Sequence, residues 1–268
     1  MKLWRKKRFC NTKRRVVYLV LLLCALLAVT LTGCANQREQ TELMVGAAAS
    51  LEPVLEELKD IYLKQPARIK LSFTFAGSGT LEQQIREGAP IDVFVSAAVK
   101  QINSLEEDGL ILKDSKVNLA QNELALIVPK NSQTKITGFE DVLNATVIAL
   151  GDPDSVPVGQ YSMEVFETIG NWDDIKEKAT YGKDVSEVLA WVKAGNADAG
   201  VVYITDAAEE DGVTLIATAP EDSHNPIVYP AVIVADTELE KQAEEFLLFL
   251  GSTEAKEIFL RYGFRSIE

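Results

Sequence analysis

From residue 42 onward, hydrophobic positions follow two periods in turn. ELMVGAA (42–48) is a short apolar run that predicts a strand, and LEPVLEELKDIYLKQ (51–65) places apolar residues at 51, 54, 55, 58, 61 and 62, the spacing of an amphipathic helix. RIKLSFTFA (68–76) predicts a second strand, TLEQQIREG (80–88) a helix closed by Gly88, and DVFVSA (92–97) a third strand. Past residue 120 the alternation resumes, with strands predicted at 124–129, 146–151, 199–205, 214–219 and 227–235 and helical periods at 162–170, 185–194 and 239–250. Such alternation predicts an α/β fold with mainly parallel sheets.

Two extended stretches flanked by turn residues, NLAQNELALIVPK (118–130) and EDSHNPIVYPAVIVA (221–235), are candidate crossings between lobes. If they run side by side, residues 42–122 with 228–268 form one lobe and residues 123–227 a second, with a ligand cleft between them.

The first 41 residues follow a different pattern. Residues 1–15 hold eight Lys and Arg, and VVYLVLLLCALLAVTL (16–31) carries no charge, the layout of a secretory leader. Leu31-Thr32-Gly33-Cys34 follows at once and resembles the lipobox of bacterial lipoproteins, which implies a signal peptide over 1–33, lipidation at Cys34 and a polar tether over 34–41. The competing reading of the apolar run is a transmembrane anchor, since it falls only a little short of the roughly 20 residues that span a bilayer. Either way the folded body is expected outside the cytoplasmic membrane. Cys10 and Cys24 lie in the leader, so the body has no thiol for a disulfide, a redox pair or a thiolate metal site.

Removing the eight leader cations leaves 19 Lys and Arg against 40 Asp and Glu, a net charge of −21. That field argues against nucleic acid and anionic lipid surfaces as partners. A small anion is still admissible, because a closed site responds to local dipoles more than to screened surface charge.

The junctions where strands give way to helices hold the candidate chemistry, because ligands of open α/β sheets bind at the carboxyl ends of strands. Ser50 in GAAASLEP reads as an N-cap, Thr80 with Gln83 in AGSGTLEQQ as a capping box, and Asp184 with Glu187 as a further capping pair. Val158-Gly159 in GDPDSVPVGQY opens a fourth helix. Taken singly, Ser50 and Ser78 are plain caps, and Gly77 and Gly79 plain turn residues. Converging on one cleft, four helix N-termini would offer free N–H groups and serine hydroxyls to a fully deprotonated oxyanion. A protonated phosphate would instead need an acceptor.

VGAAASL, FAGSGTL, GAPIDVFVSA, GDPDSVPVGQY, NADAGVVYITDA, EDSHNPIVYPAVIV and FLGSTEAKEIFLRYGF together make the chain resemble the periplasmic molybdate-binding proteins of ABC importers (the ModA family) over residues 42–264. The resemblance implies a two-lobed periplasmic-binding-protein fold of type II with the ligand between the lobes. It implies that Ser50 and Ser78 donate through hydroxyl and backbone N–H, Val158 and Val185 through backbone N–H, and Tyr203 through its hydroxyl. At 158 valine replaces the family's usual alanine, and the second turn keeps only its central serine. The implied protein is a monomer without cofactor or catalysis that binds molybdate or tungstate and docks on a membrane permease driven by a cytoplasmic ATPase.

Three alternatives compete: a receptor for another tetrahedral oxyanion such as sulfate, a secreted α/β hydrolase, and an extracytoplasmic sensor or adhesin. The hydrolase lacks a G-x-S-x-G elbow, an H-E-x-x-H motif and a histidine base other than His224. His224, in the polar EDSHNP segment, reads as a surface or hinge residue, since one histidine makes no zinc site.

Overall fold

The computed structural model describes residues 41–64, 69–208 and 210–267, so the expected leader, most of the tether and Cys34 lie outside the described residues. In chain order the elements are β1 (Thr41–Ala48), α1 (Glu52–Tyr62), β2 (Ile69–Ala76), α2 (Ser78–Arg86), β3 (Val93–Val95), α3 (Val99–Glu107), β4 (Val117–Asn122) and β5 (Leu124–Pro129). They continue with β6 (Ile148–Gly151), α4 (Pro157–Ile169), α5 (Trp172–Lys176), β7 (Ala179–Gly182), α6 (Val185–Lys193), β8 (Ala199–Tyr203) and α7 (Ile204–Ala208). The chain closes with β9 (Val213–Thr218), β10 (Ile227–Ile233), α8 (Glu240–Leu250) and α9 (Thr253–Arg261).

The strands form two five-stranded sheets, ordered β2-β1-β3-β10-β4 and β7-β6-β8-β5-β9, one in each lobe. Their ladders follow one plan: β1 runs parallel to β2 and β3, and β6 parallel to β7 and β8, while β10 and β5 run antiparallel to both of their neighbours. The expectation of mainly parallel sheets is corrected to mixed ones. The cause lies in the crossings. β4 passes through Glu123 straight into β5 without a helix, so the chain enters the second sheet beside Tyr203, at the carboxyl end of β8, and must run back against it. β10 does the same in the first sheet, passing Val95 and then Val93. The two crossing stretches lie side by side, Ile227 opposite Asn122.

Each sheet is covered by helices whose apolar stripes face it. α1 buries Val54, Leu55, Leu58 and Tyr62, as the 3,4 spacing requires. Tyr62 packs edge-on against Phe246 at 5.2 Å and against Phe249 at 5.1 Å, which fastens α8 to α1. Ser252 caps α9 by accepting from Ala255 N–H. Beyond α9 the chain returns to the crossing, where Arg265 exchanges backbone hydrogen bonds with Gln121 and pairs with Glu123 at 2.6 Å.

Two capping assignments change. Ser50 lies inside a 3-10 turn, Ala49–Leu51, rather than capping α1, and α2 begins at Ser78 after Gly77, so Thr80 and Gln83 form no capping box. Asp184 does cap α6, its carboxylate accepting from Glu187 N–H at 2.9 Å.

Candidate functional site

The carboxyl ends of six strands point toward one place. Ala48 ends β1 and Ala49 and Ser50 follow it, Ala76 ends β2 and Gly77 and Ser78 follow it, Ala97 follows β3, Val156 to Val158 follow β6, Asp184 and Val185 follow β7, and Tyr203 ends β8. Together they enclose a cavity with about 10 Å³ for the centre of a water-sized sphere. That is room for one compact group. All five residues expected as oxyanion donors, Ser50, Ser78, Val158, Val185 and Tyr203, line it, and each is at most 6% exposed.

Local sequence explains how each donor comes to face the cavity. Ser78 is the first residue of α2, and Val185 the first of α6. Val158 is the second residue of α4, behind Pro157, which suits a first turn because its missing N–H would have been unpaired anyway. Helix geometry gives the N–H groups of such first-turn residues no partner within the helix, and the dipoles of three helices place partial positive charge at the cavity. α4 can reach the end of β6 only because residue 159 is glycine: a Cβ there would stand 2.1 Å from the Gly151 carbonyl oxygen.

The glycines of AGSGTL have a matching role across the cleft. Gly79 N–H donates to the Ser155 carbonyl oxygen at 2.9 Å, joining α2 of the first lobe to the loop before α4 in the second. A Cβ on Gly79 would fall 2.2 Å from that oxygen, and one on Gly77 would fall 2.5 Å from the Lys183 carbonyl oxygen. The turn is bare because the other lobe's backbone lies against it.

Among the described residues, no Lys, Arg or His lines the cavity, and the one acidic residue there, Asp184, has its carboxylate engaged by Glu187 N–H. The serine hydroxyls are already held from behind. Ser78 Oγ accepts from Ala97 N–H at 3.0 Å, and Ser50 Oγ lies 3.1 Å from the Tyr229 hydroxyl. The Tyr203 hydroxyl is buried with no hydrogen-bond partner among the described residues. Its ring meets that of Tyr229 edge-on at 5.9 Å, and Tyr229 adds to the perturbation of Tyr203 without reaching it in hydrogen-bond geometry. Burial, chiefly, raises the pKa values of both tyrosines well above the usual range, so both hydroxyls keep their hydrogens. An unpaired buried donor is costly, and it fits an acceptor arriving from outside.

A wider groove of about 750 Å³ lies along Lys100, Asn103, Gln160 and Glu164 and shares no wall residue with the cavity. Its mixture of cation and carboxylate is not an all-donor site. Among the described residues, no group of three or more His, Cys, Asp or Glu is placed to hold a metal ion. His224 sits in the second crossing, its ring 5.8 Å from that of Tyr161.

Periodicity and motifs point to the donors but not to what stands behind them. Tyr229 and Asn122 read only as positions in extended crossings, and Ser155 as part of a turn. A polar side chain on the buried face of a β-period was the available signal at Asn122 and Tyr229.

Residues 43–265 match the model of a family described as bacterial extracellular solute-binding protein. The chain is 42% identical to YvgL of Bacillus subtilis, a provisionally named ABC transporter substrate-binding lipoprotein, over 87% of this chain and 92% of that protein. It is 38% identical to the molybdate-binding protein ModA of Haemophilus influenzae, over 82% of this chain and 88% of the relative. Among solved structures, the periplasmic molybdate-binding protein of Azotobacter vinelandii superposes with a TM-score of 0.74 at 25% identity, covering 84% of this chain and all of that one. Family and fold agree on a protein that binds a solute and performs no reaction on it. The chain belongs to the bacterial extracellular solute-binding proteins and, within them, to the ModA family.

Proposed function

We propose that this protein is the lipid-anchored receptor of a molybdate importer. It captures MoO4 with charge −2 between lobes formed by residues 42–122 with 228–268 and by residues 123–227. Donors come from both: the hydroxyls and N–H groups of Ser50 and Ser78 from one lobe, and the Val158 and Val185 N–H groups and the Tyr203 hydroxyl from the other. Tungstate, equal in shape and charge and nearly so in size, binds in the same way. Cys34 carries the lipid that holds the monomer on the outer face of the cytoplasmic membrane. The closed form docks on a permease powered by a cytoplasmic ATPase.

The observation that carries this reading is the Tyr203 hydroxyl, a buried donor without a partner at a cavity that holds no cation. A tetrahedral dianion brings acceptors to every such donor, and contacts from both lobes favour the closed population. Isothermal titration of residues 35–268 with molybdate, tungstate, sulfate and phosphate is the test. Tight one-to-one binding of the first two with sulfate far weaker is the expected result. Equal binding of sulfate would make the protein a general oxyanion receptor, and no binding of any of them would end the importer reading.

A further inference from the structure

The wide groove next to the cavity is built on the same two helix starts. Ala97 and Val158 line the cavity, while Ala98, next along the chain, and Gln160, two residues on, line the groove. Its volume of about 750 Å³ lies within the span of small-molecule sites, roughly 300–1,000 Å³. One wall is α3, beside the first sheet, and the other is α4, beside the second, with Asn225 and Pro226 at the entry to the β10 crossing between them in the chain's path.

α3 turns a polar stripe to the groove, because Lys100, Asn103, Ser104 and Glu107 follow at the spacing of one helix face. At the start of that stripe three features favour an anion. Val99 and Lys100 form the first turn of α3 and line the groove, and Ala98 before them supplies no side-chain cap, so their N–H groups have no partner within the helix. The exposed Lys100 ammonium makes no ion pair among the described residues. From the facing helix comes Gln160, only 7% exposed, whose Nε2 is buried with no hydrogen-bond partner among the described residues. Such an amide is costly unless a ligand satisfies it.

The groove's carboxylates do not cancel this end. Glu164 is engaged by Asn225, accepting from its backbone N–H at 2.7 Å and from Nδ2 at 3.2 Å. Glu107 stands two turns down α3 from Lys100, roughly 10 Å along the axis. At that distance it accepts from hydroxyls and repels a second acid group.

We infer that this groove is a second ligand site, for a small hydroxylated organic acid whose single anionic head, carboxylate or phosphate, is held by Lys100, the start of α3 and Gln160. The body of the ligand lies along Asn103 toward Glu107. A molecule seated here touches both walls and favours the arrangement in which they stand together. On the receptor reading proposed above, that arrangement is the closed one, so the groove and the oxyanion cavity are coupled, and the coupling is reciprocal.

Glycerol 3-phosphate and D-glycerate share a hydroxylated body and differ in head, and glycerol has no anionic head at all. Isothermal titration of the protein with each, alone and in saturating molybdate, is the test. At least one acid should bind one-to-one and glycerol should not; the tighter acid identifies the head. Molybdate should tighten that acid by at least about threefold instead of competing with it. Lys100→Glu, at an exposed side chain, should weaken the acid at least about tenfold and Gln160→Met about 3- to 10-fold, with molybdate alone bound within about twofold of the parent. Lys113→Glu makes the same charge change at a separate groove and should leave the acid within about twofold. Molybdate binding with neither acid bound, competition between acid and molybdate, or an acid affinity indifferent to Lys100→Glu or equally sensitive to Lys113→Glu would overturn the inference. Binding of an acid, lost in Lys100→Glu, by a protein that takes no molybdate would remove the importer reading and leave the groove site standing.

Discussion

Gly79 and Ser155 lie in different lobes, and the hydrogen bond from the glycine N–H to the serine carbonyl oxygen, 2.9 Å long, is a direct backbone link across the cleft. Both residues adjoin the cavity wall, Ser78 on one side and Val156 on the other. On the receptor reading proposed above, closing the lobes and completing the donor set are the same movement. Gly79→Ala puts a methyl group into the Ser155 carbonyl. The clash exists only when the lobes are together, so the variant's unliganded thermal midpoint should be close to that of the parent. Its affinity for molybdate should fall at least about tenfold, the cost of forgoing the closing bond and its neighbours. Titration beside small-angle scattering with and without ligand checks both halves, since the variant should stay open when the parent compacts.

Tyr203→Phe should move stability and binding in opposite directions. Without ligand, the substitution removes a buried hydroxyl that has no partner, and the unfolding free energy should hold or rise by about 1 kcal/mol. With ligand, one donor to a charged group is lost and affinity should drop by about 10- to 100-fold. Denaturant unfolding of the free protein, read beside titration of the same sample, would show a fall in both if the hydroxyl were structural only.

Val185→Pro isolates a backbone donor. Residue 185 is the first of α6, where proline is well tolerated, and Asp184 before it is already extended, with φ −160° and ψ 171°. The helix should persist, as judged by circular dichroism, while the N–H disappears and molybdate affinity falls by about 10- to 100-fold. Val185→Ala, which keeps the N–H, should bind within about threefold of the parent; an equal loss in both variants would assign the effect to packing.

Alkaline stability follows from the buried tyrosines. Tyr161, Tyr203 and Tyr229 all have raised pKa values, mainly through burial. Each then contributes stability that is fully present below the unfolded value, near pH 10, and is lost as pH rises through the folded value. Above pH 10 the unfolded chain releases protons that the folded chain retains, so unfolding free energy should decline by roughly 1.4 kcal/mol per pH unit for each such tyrosine. Urea titrations at pH 8, 10 and 11 should give a near-flat contribution from these groups over the first interval and a steep fall over the second.

Much of this architecture is legible along the chain, and the exceptions have physical causes. β5 is predicted at its observed bounds, 124–129, because an unbroken apolar run between turn residues has few other fates. The antiparallel entries of β5 and β10 are not visible, since strand direction depends on where a crossing enters a sheet, and local period carries no such information. β7 is only four residues long and makes a weak pattern of its own. At the site, strand-end serines and helix starts can be read from turn chemistry. Gly77 and Gly79 look like ordinary turn residues until Lys183 and Ser155 are seen against them, more than 70 residues away in sequence. Tyr229 is hidden for the same reason, as its partners Ser50 and Asn122 lie 179 and 107 residues away in the chain.

The most direct measurement is diffraction from crystals of residues 35–268 grown with molybdate, using the anomalous signal of molybdenum to locate the ion. The account predicts one peak in the cavity, with oxygen atoms at hydrogen-bond distance, about 2.7–3.1 Å, from the Ser50 and Ser78 hydroxyls, the Val158 and Val185 N–H groups and the Tyr203 hydroxyl. A peak outside that cavity, or one held by lysine or arginine side chains, would contradict it.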